Sequence, residues 1–132
     1  MGIFSSIFSR YQKQIETAEG QTDEQLRTHY YKANFHKLFQ SVEEIFRNDP
    51  NCRIISVSKE HGEIAVEVKS PLQSFLIATV ISVKPLETAV DFNVSSEKMS
   101  LTGLRPSLRK QIAGYYSRLN KLHTYTGAGK NV

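Results

Sequence analysis

The sequence contains one cysteine, no tryptophan and no long hydrophobic run. Cys52 therefore has no partner for an internal disulfide and no second thiol for a cysteine-cluster metal site. No apolar stretch approaches the ~20 residues that span a bilayer, so we expect a soluble chain. Of the 132 residues, 39% are hydrophobic and 23% are charged, which is globular composition and enough for the core of one domain.

The sequence patterns of common enzyme sites are also missing. No Gly-x-Ser-x-Gly elbow is present. Cys52 begins a predicted strand with no basic helix terminus beside it, which indicates a small buried residue rather than a nucleophile. No two histidines are three or four residues apart, the spacing of a helix-borne zinc site, so we expect them to face solvent. The histidines are His29, His36, His61 and His123.

The acidic residues predict no acid–base pair. Glu63, Glu67 and Asp91 fall on the polar faces of predicted strands, where carboxylates are ordinarily solvated. The segment Gly127-Ala-Gly-Lys130 lacks the full spacing of a phosphate-binding loop. The sequence therefore predicts a protein that is not an enzyme and that has no metal site and no cofactor.

Two amphipathic helices are predicted. Asn34 is a suitable N-cap for the first helix, and Asn48-Asp-Pro50-Asn ends it because proline cannot extend a helix. The second helix, 106–122, contains Gly114, for which we expect a close contact between helix and sheet. The apolar stripes are Phe35, Leu38, Phe39, Val42, Ile45 and Phe46 in the first helix, and Leu108, Ile112, Tyr115, Leu119 and Leu122 in the second.

Four strands are predicted between the two helices, and a short one, 26–32, before the first. The four are 52–58, 63–69, 74–83 and 88–95. Connections of about four residues predict an antiparallel meander. The strand 74–83 is apolar on both faces, which predicts cover on both sides, at least in part.

The element order β-α-β-β-β-β-α predicts an α+β fold of two layers, with both helices on one face of an antiparallel sheet. We expect a single domain at 25–123. Before it, 1–24 comprises a short amphipathic N-terminal segment and an exposed acidic linker at 16–24. After it, 124–132 is polar and glycine-rich, which predicts a flexible tail.

The N-terminal segment has apolar residues at helical spacing, with serines and basic residues on the other side. An amphipathic helix of this kind lies at a membrane surface. Alternatively, its apolar side docks on the sheet of its own domain or on a second copy. The contact residues in each case are Ile3, Phe4, Ile7, Phe8 and Tyr11.

The net charge of +4 is concentrated in the last quarter of the chain, because seven basic residues and no acidic residue follow Glu97. The candidate basic surface consists of Arg105, Arg109, Lys110, Arg118 and Lys121. On a helical wheel the last four of these residues spread around the second helix and do not line one edge. We therefore expect a solvated surface, with weak nucleic-acid binding as the alternative.

Three segments carry a family resemblance: Met1-Gly-Ile-Phe-Ser-Ser-Ile-Phe8, Arg27-Thr-His-Tyr-Tyr-Lys32 and 55–66. They resemble small cytosolic proteins of unknown function from Bacillus-type Gram-positive bacteria. Segments 55–95 and 104–121 are also similar, more distantly, to a family of unknown function found in bacterial lipoproteins and secreted proteins. Neither resemblance implies catalytic residues, and the first implies a protein of the bacterial cytoplasm.

The sequence thus predicts a non-catalytic binding or assembly module. Its partner is a protein or a small apolar ligand, neither of which the sequence identifies, with a membrane surface as an alternative. A ligand of this kind would occupy a cavity between the helices and the sheet. Four aromatic residues either form an exposed binding surface or complete the core: Tyr30, Tyr31, Tyr115 and Tyr116.

Overall fold

The computed structural model describes residues 14–70, 73–96 and 104–128. Two α-helices, α1 (Phe35–Arg47) and α2 (Leu104–Leu122), accompany one antiparallel sheet. The fold is therefore α+β with an open antiparallel sheet, as predicted. The described residues form seven strands: β1 (Gln14–Glu16), β2 (His29–Lys32), β3 (Cys52–Ser58), β4 (Glu63–Val68), β5 (Ser74–Lys84), β6 (Glu87–Ser95) and β7 (Thr124–Ala128).

Helix α1 begins and ends where the sequence predicts. The backbone of Asn34 is extended, and its side chain accepts a hydrogen bond of 2.9 Å from the backbone N–H of Lys37. This bond satisfies one of the four free N–H groups in the first turn. The helix ends before Pro50. Its buried face, which packs toward the sheet, consists of Leu38, Phe39, Val42 and Phe46.

The strands β3 to β6 pair in sequence order, which confirms the meander. Gly62, in the turn between β3 and β4, has a φ of +69°, and a Cβ there would lie 2.3 Å from the carbonyl oxygen of Val80. The turn therefore requires glycine. The free edge of β6 is shared, because β1 pairs with one end, Asn93 to Ser95, and β2 with the other, Thr88 to Val90.

The two faces of the sheet differ. Alternate residues such as Val66, Leu76 and Phe92 belong to the main core, together with the buried faces of both helices. The intervening residues point the opposite way, onto what we call the far face. In the paired register this face contains Ala65, Phe75, Ile77, Thr79, Ala89 and Asp91.

Strand β5 is apolar on both faces and is buried on both over part of its length. Phe75 and Ile77 on the far face are buried, as are Leu76 and Ala78 on the helix side. Toward its end the strand becomes exposed, with 43% of Ile81 accessible. The structure thus matches the prediction of partial cover on both sides.

The predicted linker at 16–24 is wrong at its start. Glu16 lies in β1, and Thr17 is buried and donates its backbone N–H to the carbonyl of Phe92. The edge of β6 beyond Val90 would otherwise present unpaired backbone groups, which this segment satisfies. The predicted strand 26–32 begins only at His29, since residues Glu24–Leu26 form a 3-10 helix.

The predicted flexible tail is wrong for residues 124–128. These form β7, which pairs antiparallel with the outer edge of β2. The Tyr125 ring lies 4.9 Å from the ring of His29 and 5.8 Å from that of Tyr31, measured between centroids. Backbone pairing and ring contacts together fix a segment whose polar composition gave no strand signal. Residues 129–132 lie outside the described part.

The four tyrosines complete the core and do not form an exposed surface. Tyr31 and Tyr116 are fully enclosed, and Tyr30 and Tyr115 are nearly so. Each enclosed hydroxyl has a partner, because Tyr31 donates to the Asn120 side chain at 2.7 Å and Tyr116 to the carbonyl of Val90 at 2.8 Å. Buried hydroxyls require such partners.

Candidate functional site

Two clefts lie side by side along α2. The first, the Gly114 cleft, has a volume of about 420 Å³, and the second, the Leu122 cleft, about 460 Å³. Asp49 and Arg118 line both, so the two clefts form one groove, which we call the α1–α2 groove. Its other lining residues include Asn51, Ser70, Ser107, Lys110 and Gln111 in the Gly114 cleft, and Glu44, Ile45 and Pro50 in the Leu122 cleft.

One wall of the groove is a single line of residues on α2. Lys110, Gly114 and Arg118 are four residues apart and therefore follow one another along one side of the helix. Lys110 and Arg118 of the candidate basic surface thus share this wall. A Cβ on Gly114 would meet nothing within 4 Å. The predicted close helix–sheet contact at this glycine is wrong, and Gly114 instead leaves open space in this wall.

The opposite wall is the loop between α1 and β3. The Asp49 carboxylate accepts a hydrogen bond from the backbone N–H of Asn51 at 2.9 Å and lies 3.1 Å from the Arg118 guanidinium. Desolvation alone would raise the pKa of Asp49, but these hydrogen bonds and the Arg118 charge outweigh it and lower the pKa. The carboxylate therefore stays ionised and holds Arg118 across the groove.

The floor between the walls is ordered by contacts within the chain. The Arg118 guanidinium carbon lies 5.8 Å from the centroid of the Tyr115 ring, and Gln111 donates to the Tyr115 hydroxyl at 2.7 Å. Nearby, burial raises the pKa of Cys52 to about 11, with the Asp49 charge adding to the effect. A thiol with that pKa stays protonated at neutral pH and is a poor nucleophile.

The exposed end of the groove contains three apolar side chains. Leu122 belongs to the predicted core stripe of α2, yet 59% of it is accessible. It lines the Leu122 cleft with Ile45 and Pro50. The core below is completed by Leu119, which is fully buried, so Leu122 is left at the surface.

The remaining predicted basic residues do not join this wall. Arg109 points to the other flank of α2, where it pairs with Asp23 at 3.0 Å and contacts the Gln25 side chain at 3.2 Å. Lys121 is exposed and lines neither cleft. The side chain of Arg105 lies outside the described part, as do Ile3, Phe4, Ile7, Phe8 and Tyr11 of the N-terminal segment.

A second polar cluster lies on the far face of the sheet, around Asp91. The hydroxyls of Thr17 and Thr28 both donate to Asp91 Oδ1, at 2.6 and 2.7 Å. The Thr17 hydroxyl also accepts the backbone N–H of Phe92 at 2.9 Å. The prediction of an ordinary solvated carboxylate is wrong for Asp91, because burial raises its pKa against the effect of these two hydrogen bonds.

This cluster closes the gap in the edge of β6 between β1 and β2. The chain leaves the sheet after Glu16 and returns at His29. Asp91 accepts a hydrogen bond from Thr17, where the chain leaves, and from Thr28, where it returns. Tyr30 lies beside it and donates to the Glu19 carboxylate. The arrangement fixes the excursion of the chain and is a structural anchor.

The prediction that the histidines face solvent is wrong for His29. Its ring is buried against Tyr116, and its Nδ1 donates to the carbonyl of Arg27 at 2.9 Å. Burial lowers the pKa of His29 despite this hydrogen bond. Among residues 14–70, 73–96 and 104–128, no three His, Cys, Asp or Glu side chains converge as metal ligands would.

No protein-family model and no curated protein matches this chain. Within the part of the chain that is described, no helix has the length and apolar character needed to cross a membrane. Among the described residues, the α1–α2 groove is a surface feature from which function can be argued. The sequence signal for it was present in the spacing of Lys110, Gly114 and Arg118. The opposite wall was not foreseeable, since Asp49 and Ser70 reach the site only through the fold.

Proposed function

We propose that this chain is a non-catalytic binding module that holds a peptide segment of a protein partner in the α1–α2 groove. The observation that carries the proposal is the junction of two clefts of about 420 and 460 Å³ at the Asp49–Arg118 pair. The groove is long, and the contacts of Arg118 with Asp49 and Tyr115 order its floor in advance. A preordered floor lowers the entropy cost of binding an extended segment.

The charges favour an acidic side chain at one end. In the Gly114 cleft, Arg118 is compensated by Asp49, whereas Lys110 is exposed on the same wall. A carboxylate entering this cleft would meet the Lys110 ammonium group. It would not be repelled by α2, because that helix contains no acidic residue. Complementary charge of this kind gives specificity and speeds association.

The other end favours an apolar side chain. Ile45, Pro50 and the exposed Leu122 line the Leu122 cleft. Lys110 and Leu122 are twelve positions apart on α2, which at ~1.5 Å per residue is about 18 Å. An extended chain covers that distance in about five or six residues. The partner segment therefore combines an acidic residue with an apolar residue five or six positions away.

A small apolar ligand held between helices and sheet is less well supported. Both clefts exceed the ~300 Å³ of a typical ligand site, but they lie at the surface and are lined largely by polar side chains. The non-catalytic assignment rests on the described titratable groups, since Asp91 and His29 are engaged by neighbouring groups and neither lines a cleft. The bacterial cytoplasm is the compartment that the resemblance of the sequence implies.

The test is selection of peptides from a random display library on the intact chain, followed by titration of the enriched peptides. Lys110→Glu is the test variant and Lys121→Glu its matched control, because both lysines are exposed on α2 and only Lys110 lines the groove. We expect enriched peptides with an acidic and an apolar residue at the stated spacing. Lys110→Glu should weaken their binding at least tenfold, about 1.4 kcal/mol, and Lys121→Glu should not. Equal binding by the two variants would overturn the proposal.

A further inference from the structure

Gly114 lies in the interior of α2, with at least two turns of helix on either side. Glycine destabilises a helix interior relative to alanine. Its ordinary compensation is a positive φ or a close contact that leaves no room for a Cβ. Gly114 has neither, because the positive-φ glycines of the described residues are Gly62 and Gly127, and a Cβ on Gly114 would meet none of their heavy atoms within 4 Å. Neither the backbone nor the packing of the chain therefore accounts for this glycine.

The open space at Gly114 belongs to the α1–α2 groove. Gly114 is exposed and lines the cleft named after it. Lys110 precedes it by four residues and Arg118 follows it by four, so each lies about 6 Å away along the helix axis. Both of these side chains also line the cleft. The wall therefore has a gap between two cationic side chains, which we call the Gly114 notch.

The groups around the Gly114 notch suit an aromatic ring. A cation within ~6 Å of the ring centroid is attracted to the face of an aromatic ring, and the notch has a cation on each side. Arg118 already makes one such contact within the chain, at 5.8 Å from the Tyr115 centroid. Of the described residues that line the cleft, only Asp49 is acidic, and its charge is paired with Arg118. An aliphatic side chain in the notch would gain nothing from the flanking cations.

The position of the Gly114 notch in the groove predicts where the ring stands in the partner segment. Lys110 and the notch are about 6 Å apart along α2. In an extended peptide, residues two positions apart are separated by about 6.6 Å and point to the same side. The ring therefore belongs two positions from the acidic residue that meets Lys110. The apolar residue at the Leu122 cleft lies further along in the same direction, because Leu122 follows Gly114 on the helix.

We propose that Gly114 is a specificity-determining residue of the α1–α2 groove and admits an aromatic side chain of the partner between Lys110 and Arg118. This inference rests on the proposed function of the groove in binding a peptide segment. The segment then has an acidic residue, an aromatic residue two positions away, and an apolar residue about three or four positions beyond the aromatic one. The lower helix stability at Gly114 is a consequence of the space that the ring requires.

The test measures the binding of peptides selected on the intact chain to two of its variants. Gly114→Leu fills the notch, and Ser117→Leu adds the same side chain at an exposed position of α2 that lines neither cleft. We expect Gly114→Leu to weaken binding about tenfold or more, whereas Ser117→Leu should leave the Kd unchanged. Gly114→Leu should also raise the midpoint of thermal unfolding by about 3 °C. The higher midpoint would show that the weaker binding does not come from misfolding.

A peptide in which alanine replaces the aromatic residue completes a double-mutant cycle. It should bind the unmodified chain about tenfold more weakly than the parent peptide does, whereas Gly114→Leu should bind the two peptides equally. Additive effects of the two changes, or selected peptides without an aromatic residue at this position, would overturn the inference. The proposed function would still stand in that case if Lys110→Glu weakened binding. Failure to select any peptide would overturn both.

Discussion

His29 of β2 and Tyr116 of α2 stack face to face, with ring centroids 3.6 Å apart and planes 7° from parallel. The contact joins the edge of the sheet to the second helix, and Tyr116 continues it by donating to the carbonyl of Val90 in β6. A sheet edge, a helix and the neighbouring strand are thus fixed through two side chains. Because His29 is buried here, its protonation state is coupled to the stability of the fold.

Stability should fall as the pH drops below about 6.5, the ordinary pKa of histidine. Burial lowers the pKa of His29 in the folded state, so the unfolded chain binds the proton more tightly. Acidification therefore lowers the free energy of the unfolded chain relative to the folded one. His123 contributes in the same direction, since its pKa is also lowered by burial. Urea unfolding at pH values between about 5 and 8 measures this pH dependence of the free energy of unfolding.

His29→Phe retains a ring for stacking but cannot be protonated. We expect it to reduce the fall in stability below pH 6.5 and to leave the part that His123 contributes. His61→Gln is the control, because His61 is exposed in the turn between β3 and β4. A His29→Phe profile as steep as that of the unmodified chain would contradict the assignment.

Asp91→Asn should be at least as stable as the unmodified chain at pH 7, whereas Asp91→Ala should lose about 2 kcal/mol or more. Asparagine keeps the Oδ1 that accepts both threonine hydroxyls and removes a partly buried charge. Alanine leaves the hydroxyls of Thr17 and Thr28 without their acceptor. The free energy of urea unfolding measures both variants, and equal destabilisation by the two would show that the charge itself is needed.

The pH dependence of these variants provides a second check on Asp91. Its raised pKa means that the folded chain gains stability from the protonated acid at low pH and loses that gain as the pH rises through the folded-state pKa. Asp91→Asn should remove this dependence. Persistence of the same dependence in Asp91→Asn would assign it to another carboxyl group.

Gly114→Ala should stabilise the chain by about 1 kcal/mol, the difference in helix propensity between the two residues. The added methyl group meets nothing within 4 Å. Gly62→Ala is the matched contrast, since its Cβ would collide with the Val80 carbonyl oxygen at a positive φ, and it should cost about 2 kcal/mol or more. Thermal unfolding of both variants measures the difference, and a destabilising Gly114→Ala would contradict the open space found at this position.

Much of the fold follows from local sequence signals. The stripe and caps of α1, the meander of β3 to β6 and the Gly62 turn are all set by residues close together in the chain, which is why their prediction is confirmed. Strands β1 and β7 were not predictable in this way. Each pairs with an edge left open by β6 or β2. The three residues of β1 and the five of β7 contain no local signal that such an edge exists.

The candidate site is less predictable than the fold. The basic residues of α2 were identified, but their partners Asp23 and Asp49 come from distant parts of the chain and could not be identified from the helix alone. The sequence predicts a close contact at Gly114 because glycine destabilises a helix relative to alanine, and close packing is a common compensation. The structure shows open space there, and a side chain's surroundings cannot be read from the helix that bears it.

The amide resonances of the intact, isotope-labelled chain, followed during titration with an acidic peptide selected on it, locate the binding surface directly. Binding in the α1–α2 groove predicts the largest shifts at Ser70, Lys110 and Gly114, which line the Gly114 cleft, and loss of those shifts in Lys110→Glu. Shifts confined to the far face or to β7, or shifts unchanged in Lys110→Glu, would contradict a binding function for the groove.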